Sequence, residues 1–218
     1  EGGNYRVFAI DGSDAQRGDA TGENMIERYC TGNFLAGQRL IYASASGLPV
    51  GRYIFKAVAQ KGADGGVIEL FANDDRSPVT SVKVLRETEV ATDVLDQDLT
   101  VGVESGLNNA CQWVSFADVA LEYQSPYMLL EEAVAASDTL TYGEDKGGAL
   151  KKAADEARVL LVSGEARERM AAYHTLLDAM EQYRLDNASV AHPVDLTVRI
   201  QNAGFDIGNT TGWTLTVS

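Results

Sequence analysis

The sequence predicts two folded parts, an antiparallel β-sandwich and then a three-helix bundle, with a strand-like segment at the C-terminus. In residues 1–123, short runs of alternating apolar and polar residues are separated by turns rich in Gly, Asn and Asp. Near Pro126 the apolar period changes from two to about 3.6, which indicates amphipathic helices. After Pro193 the alternation returns. We therefore predict a sandwich at 1–123, a bundle at 124–192 and a strand segment at 193–218.

The predicted strands are short and regularly spaced, which favours a sandwich over a fold with helices between strands. The strongest is Arg52–Gln60, because it is rich in β-branched and aromatic residues. The polar segments 11–24 and 73–77 are expected to be loops. The other predicted strands are Tyr5–Ile10, Met25–Cys30, Gln38–Ser44, Val67–Ala72, Val79–Leu85, Leu99–Val103 and Cys111–Tyr123.

Three later segments carry apolar residues at helical spacing: Tyr127–Thr139, Ala149–Val162 and Glu165–Asn187. The glycines of the linkers TYGEDKGG and SGE predict where the helices stop. Because both linkers are short, consecutive helices are expected to run antiparallel, as in a three-helix bundle.

Charge and composition limit the classes of partner. The chain has 218 residues and a net charge of −14, so it repels nucleic acid phosphates and anionic membrane surfaces. Its apolar runs are too short to span a bilayer, so no membrane insertion is expected. Neutral ligands remain, and sugars are the first class among them.

The two cysteines, Cys30 and Cys111, are either separate free thiols or one disulfide between strands.

Several stretches resemble motifs of galactose-binding-like jelly rolls, a family common as carbohydrate-binding modules in secreted bacterial proteins. LPVGRYIFKAVAQ resembles the family's "LPAGTYTFSA" strand, and the earlier E-x-W/Y and glutamine positions match Glu27-Arg28-Tyr29 and Gln38. Val67–Asn73 resembles the "LFANN" hairpin, CQWVSFADVALEY the closing strand, and NAGFDIGNTTGW the opening "N-P-S-F-E-x-G-x-x-x-G-W" motif. The resemblance implies a non-catalytic glycan-binding module that is secreted, periplasmic or displayed on the cell surface.

The helical segments LLEEAVAASDTL and LKKAADEARVLL resemble the FIVAR type of helix found in bacterial surface proteins. This second resemblance implies a spacer or attachment module.

The family's opening motif stands at the end of this chain, in the segment 202–213. Three explanations stay open: a unit cut from a tandem array, a permuted domain whose tail closes its own sandwich, or a tail that completes a neighbouring molecule. A jelly roll without its first strand has an open sheet edge, which favours a paired tail in cis or in trans. The alternative function is therefore a structural or adhesive spacer that assembles by strand exchange without a small ligand.

A glycan site needs exposed aromatic faces beside polar groups. The aromatic candidates, each of which could instead be a core residue, are Tyr5, Tyr29, Trp113 and Trp213. The polar candidates lie in predicted loops at a rim of the sandwich and are Asn73, Asp74, Asp75, Arg76, Asn108 and Asn109.

No catalytic set, metal-binding set or cofactor is predicted, because the chain has no GxSxG, HExxH or CxxC motif. A structural calcium ion stays open. The family's aspartate in the closing strand is replaced by Ala117, and Asp118 follows one place later.

Overall fold

Within the part of the chain that the structure describes, nine β-strands and three α-helices form the two parts. The computed structural model describes residues 4–10, 17–62, 66–106 and 111–200. The strands are β1 Asn4–Ala9, β2 Asn24–Tyr29, β3 Arg39–Ala45, β4 Gly51–Lys61, β5 Ile68–Ala72, β6 Asp75–Pro78, β7 Arg86–Val94, β8 Leu99–Ser105 and β9 Trp113–Gln124. The helices are α1 Pro126–Ser137, α2 Ala149–Ser163 and α3 Ala166–Asp186.

The strands form two antiparallel sheets. The first has the order β1-β2-β9-β4-β7, and the second has the order β3-β8-β5-β6. Successive side chains of a strand point to opposite faces, so every second residue of β4 enters the core between the sheets. This core includes Tyr53, Phe55, Ile68, Leu70, Val103 and Val114. The predicted antiparallel sandwich is confirmed.

Two details of the strand prediction are wrong. The strand predicted at Val79–Leu85 is not extended, because Lys83 has a φ of 58° and the segment bends between two buried anchors, Val79 and Leu85. The real strands lie on either side of it. β6 occupies part of a predicted loop, and β7 was not predicted because four of its nine residues, RETEVATDV, are charged.

A bulge in β9 changes which residues face the core. Asp118 has a φ of 48°, and the pairing of β4 with β9 shifts register there. After the bulge, Tyr123 pairs with the core residue Tyr53, with the ring centroids 5.1 Å apart. The bulge therefore turns the second half of β9 so that Val119 and Leu121 face the interior side of the sheet.

The predicted three-helix bundle is also confirmed. Ser125 caps the first helix by accepting a hydrogen bond from the backbone N–H of Met128, and Glu165 and Glu168 form a capping box at the third. The helices enclose a second core that includes Leu130, Ala157, Met170, Leu176 and Met180. Within the described residues, none of the helices is both long and apolar enough to cross a membrane.

A charged cluster joins the bundle to the sandwich. Arg52 of β4 donates from Nε to Asp93 of β7 over 2.9 Å and from Nη1 to the hydroxyl of Tyr173 on α3 over 2.9 Å. His174 Nε2 lies 2.7 Å from the other Asp93 oxygen. His174 and Asp93 therefore both take part in the contact between the bundle and the sandwich.

The strand predicted after Pro193 does not begin where the sequence suggests. Thr197–Arg199 form a 3₁₀ turn, started by a hydrogen bond from the backbone N–H of Thr197 to the Asp195 carboxylate. Residues 201–218, which contain the rest of the predicted segment, lie outside the described residues.

Of the two interpretations of the cysteines, the structure supports the one without a disulfide. Cys30 is partly exposed and Cys111 is buried, and they form no disulfide.

Candidate functional site

The predicted glycan residues fall in three separate places. Tyr29 and Trp113 lie on the outer, solvent side of the five-stranded sheet, whereas Tyr5 lies on its inner side. The segment 73–76 lies at the β5–β6 turn, which belongs to the other sheet. The remaining candidates are outside the described residues: Asn108, Asn109 and Trp213.

The polar side chains of the β5–β6 turn form hydrogen bonds to the turn itself and to the adjacent segment 98–104. Asn73 has a φ of 50°, accepts from the backbone N–H of Thr100, and donates to the carbonyl of Asp98. Arg76 donates to Glu104 and to the turn's own carbonyls. These contacts stabilise the hairpin and use the polar groups that the sequence suggests for sugar binding. Asp74 and Asp75 are exposed beside them.

The outer face of the five-stranded sheet carries a group of side chains that we call the aromatic patch: Arg6, Glu27, Tyr29 and Trp113. Tyr29 of β2 pairs directly with Trp113 of β9, so both side chains leave the same face of adjacent strands. Their neighbours Arg28 and Val114 point to the other face, where Val114 is fully buried in the core. Tyr29 and Trp113 are both partly exposed.

An ion pair borders these aromatic residues. Arg6 of β1 pairs with Glu27 of β2, with its Nη2 atom 2.8 Å from Oε1 and its Nε donating to the same oxygen over 3.0 Å. The Arg6 guanidinium also lies over the Tyr29 ring, 5.5 Å from the centroid. The Arg6 side chain is 62% exposed, while that of Glu27 is 14% exposed. The guanidinium is thus held by Glu27, while most of the arginine side chain is exposed to solvent.

This arrangement suits a sugar ring. The apolar C–H face of a sugar packs on an aromatic ring, and its hydroxyl groups need donors and acceptors close beside it. The aromatic patch offers two aromatic residues, guanidinium donors and a carboxylate acceptor on paired strands. Because the strands are hydrogen-bonded to each other, these groups are placed before any ligand arrives.

A second feature lies on the opposite side of the same strands, between the two sheets. We call it the inter-sheet groove. Its first section is a cavity of about 470 Å³ lined by Tyr5, Val7, Ile26, Arg28, Leu40, Ile41 and Phe116. Its second section, about 220 Å³, shares Ile41 and Phe116 and continues past Ala43 and Phe55 to Val119. Tyr5, the one predicted residue here, is 76% exposed.

Three residues that the structure places at these features are not among those predicted from the sequence. Arg6 and Glu27 belong to the aromatic patch, and Arg28 belongs to the groove. The signal was present, because Glu27-Arg28-Tyr29 is one strand and its alternate residues must face opposite sides. The sequence did not show which side would be covered by the second sheet.

A pair of carboxylates on the second sheet has a structural explanation. Glu69 of β5 lies opposite Glu104 of β8 in the register. Burial raises the pKa of Glu69, and the nearby charge of Glu104 raises it further. Arg76 forms an ion pair with Glu104 and packs over the buried Phe71 ring. The two carboxylates, Glu69 and Glu104, therefore lie beside the compensating positive charge of Arg76.

The Asp118 carboxylate also has a structural task. It accepts hydrogen bonds from the backbone N–H groups of Thr21 and Gly22, and the bond from Thr21 is the main cause of its lowered pKa. Across the described ranges, no group of three or more His, Cys, Asp or Glu side chains could hold a metal ion.

Comparisons with known proteins place sugar-binding modules among the structures that the chain resembles. The carbohydrate-binding module TmCBM61, in complex with β-1,4-galactotriose, is 18% identical, with 55% of this chain and 88% of that chain covered and a TM-score of 0.32. The CBM51-2 and INT domains of Clostridium perfringens ZmpB, with GlcNAc, are 12% identical, with 84% and 42% covered and a TM-score of 0.31.

A cyclase from Fischerella sp. is also similar, at 19% identity, with 56% of this chain and 75% of that chain covered and a TM-score of 0.39. No protein-family profile and no curated protein sequence matches the chain. The resemblance of the helices to the FIVAR type therefore stays a prediction. With identities and TM-scores this low, function must be inferred from the chain's own residues.

Proposed function

We propose that the chain is a non-catalytic carbohydrate-binding module whose aromatic patch holds a glycan against the outer face of the five-stranded sheet. The observation that carries the proposal is the pairing of Tyr29 with Trp113 on the solvent side of β2 and β9, next to the Arg6–Glu27 ion pair. We further propose that the module acts outside the cytoplasm, as part of a secreted, periplasmic or surface protein.

The charge of the molecule narrows the kind of glycan. A chain with a net charge of −14 repels strongly acidic polysaccharides at low salt. The one arginine of the aromatic patch is already paired with Glu27, so it offers hydrogen bonds more than net positive charge. A neutral glycan is therefore the expected ligand.

The test is a binding screen of the intact chain against neutral and acidic polysaccharides, followed by titration of any hit with Tyr29→Ala and Trp113→Ala. Tyr127→Ala is the matched control, because Tyr127 is a 44% exposed tyrosine on the helical bundle. We expect saturable binding of a neutral glycan that both patch variants weaken about tenfold or more, the usual size for an aromatic anchor.

Two results would contradict the proposal. One is the absence of binding across a broad panel by a folded protein. The other is a glycan whose affinity is unchanged in both patch variants, since that ligand would use another surface. Far-UV circular dichroism of each variant checks that a loss of affinity is not a loss of fold.

The inter-sheet groove supports a second candidate function, a spacer that assembles through strand exchange. Apolar side chains line this groove, which lies beside two sheet edges, and such edges can accept a strand from another molecule. Sedimentation velocity over a range of chain concentrations separates this function from the first, because strand exchange between molecules gives a mass that rises with concentration and glycan binding alone does not.

A further inference from the structure

The first section of the inter-sheet groove has a polar end and an apolar end. Tyr5 of β1 and Arg28 of β2 lie opposite each other in the register, so both polar side chains line the groove at the same level. Two positions further, about 7 Å along the strands, Val7 lies opposite Ile26. The volume of this section, about 470 Å³, lies within the range of about 300–1,000 Å³ that is typical of small-molecule sites.

The apolar end continues into the second section of the groove. Val114 of β9 lies opposite Arg28, and Phe116 lies opposite Ile26, so β9 leads away from the polar end. The second section shares Phe116 and extends past it to Val119, and its described lining residues carry no charge. The two sections thus form an elongated space with a charged group at one end and an apolar path leading from it.

Arg28 supplies a cation whose neighbours on the paired strands do not neutralise it. The residues opposite it are Tyr5 and Val114, neither of which is a carboxylate. The adjacent carboxylate, Glu27, faces the other side of β2 and pairs with Arg6. The Nε atom of Arg28 is buried and, within the described ranges, makes no hydrogen bond. Because a buried N–H without an acceptor is unfavourable, the site favours a ligand that brings one.

A carboxylate suits this position better than a neutral acceptor. The Nε–H and one Nη–H lie on the same edge of a guanidinium and can bind both oxygens of one carboxylate. A neutral carbonyl or hydroxyl would accept a hydrogen bond but leave the positive charge uncompensated. The net charge of −14 opposes an anion at long range. At physiological ionic strength this repulsion is screened beyond about 8 Å, so the guanidinium dominates within the groove.

The remainder of the groove requires an apolar ligand body. Sugar hydroxyl groups placed against Ile26, Ile41 and Phe116 would lose hydrogen bonds to water without replacement, whereas an alkyl chain gains by leaving water. We propose that the inter-sheet groove binds a straight-chain aliphatic carboxylate, with its carboxylate on Arg28 and its alkyl chain directed toward Phe116 and the second section. This site lies on the opposite side of the sheet from the aromatic patch, so it does not depend on the proposed glycan function.

The experiment titrates the full chain by isothermal calorimetry with decanoate, kept below its micelle concentration, and with decanamide as a neutral ligand of the same length. We expect saturable one-to-one binding of decanoate that is about tenfold or more tighter than that of decanamide. Across hexanoate, octanoate and decanoate, the affinity should rise about threefold to fourfold for each added CH₂ group, because each group is buried against apolar side chains.

Variants of the groove locate the ligand. Arg28→Gln should weaken decanoate binding about tenfold or more and leave decanamide binding within about twofold. Arg28→Lys keeps the charge but not the two-nitrogen contact, so it should lose less affinity than Arg28→Gln. Val7→Asp places a carboxylate beside the alkyl chain and should weaken both ligands. Arg184→Gln is the matched control, because it removes the same charge from an exposed position on α3, and it should change neither affinity.

Three results would overturn the proposal. The first is no saturable binding of decanoate by the folded chain, as expected if a donated strand fills the groove instead. The second is equal affinity for decanoate and decanamide, which would make the groove a non-selective apolar surface. The third is decanoate binding that Val7→Asp does not weaken, because the ligand would then lie elsewhere. Circular dichroism checks the fold of each variant, and if Arg28→Gln does not fold, the comparison of the two ligands and Val7→Asp still decide the question.

Discussion

The aromatic patch and the inter-sheet groove share strands β1, β2 and β9, and they differ because alternate residues of these strands face opposite sides. Tyr5 and Val7 face the groove, while Arg6 between them faces the patch. On the patch side the exposed groups are charged or aromatic and lie on paired strands. On the groove side they are mostly aliphatic and lie beside β1 and β3, which are edge strands among the described residues. Under the proposed function, an exposed aromatic residue of the patch contacts the ligand, whereas Tyr5 in the groove is exposed because no described residue packs over it.

The largest expected effect is a loss of sandwich stability on truncating Phe116, the residue at the base of the inter-sheet groove. Phe116 is buried in the main core and also lines both sections of the groove. Phe116→Ala should destabilise the sandwich by about 3–5 kcal/mol, the usual cost of truncating a core phenylalanine. Urea unfolding followed by circular dichroism measures this effect, and an unchanged midpoint would mean that the two sheets do not pack at Phe116.

The second-largest expected effect is a difference in glycan affinity between two variants of adjacent strands, Tyr29→Ala on β2 and Tyr5→Ala on β1. Tyr29→Ala should weaken glycan binding about tenfold or more, because Tyr29 lies on the aromatic patch. Tyr5→Ala should leave the affinity within about twofold, because the side chain points into the groove. Calorimetric titration of both variants with the same glycan makes the comparison. A larger loss for Tyr5→Ala would reverse the assignment of the two faces.

A smaller effect tests the ion pair at the border of the patch. Arg6→Ala leaves the mostly buried Glu27 carboxylate without its charged partner. We expect a loss of glycan affinity of about fivefold and a loss of stability of about 1 kcal/mol. Arg6→Lys should restore the charge but not the two-nitrogen contact, so it should recover only part of the affinity. Full recovery with lysine would show that charge alone matters there.

The smallest effect concerns the loop that covers another part of the outer face. The hydrogen bond from Thr21 lowers the pKa of Asp118 below its usual value. This stabilisation is therefore complete above the unfolded pKa of about 3.9 and is lost as the pH falls through the lower folded pKa. Asp118→Asn, which tolerates the positive φ of this position, should cost about 1 kcal/mol at neutral pH and less in acid. A cost that is independent of pH would contradict this role of the carboxylate.

Much of the fold could be predicted from the sequence because its signals are local. The alternation in Arg52–Gln60 and the helical spacing after Pro126 each reflect one element and its buried face. The strand Arg86–Val94 was missed because its exposed face is so strongly charged that it resembles a loop. The 3₁₀ turn at Thr197–Arg199 was missed because a single aspartate hydrogen bond outweighs a short alternation.

The site was less predictable because it depends on the register between strands. Tyr29 and Trp113 are 84 residues apart in sequence and meet only because β2 pairs with β9. Arg6 and Glu27 are joined in the same way across β1 and β2. The turn residues Asn73 and Arg76 have the composition of a binding loop, yet their polar groups bond to the hairpin itself. Composition identifies candidate residues, but only the pairing shows which of them share a surface.

The measurement that tests the central claim most directly is a titration of the ¹⁵N-labelled chain with the glycan selected by the binding screen. Chemical-shift changes in two-dimensional NMR spectra then locate the contact surface. We predict that the changes concentrate at Arg6, Glu27, Tyr29 and Trp113, with the indole N–H of Trp113 among the most affected signals. Changes concentrated at the β5–β6 turn, or at the groove residues Val7 and Ile41, would contradict the aromatic patch as the glycan site.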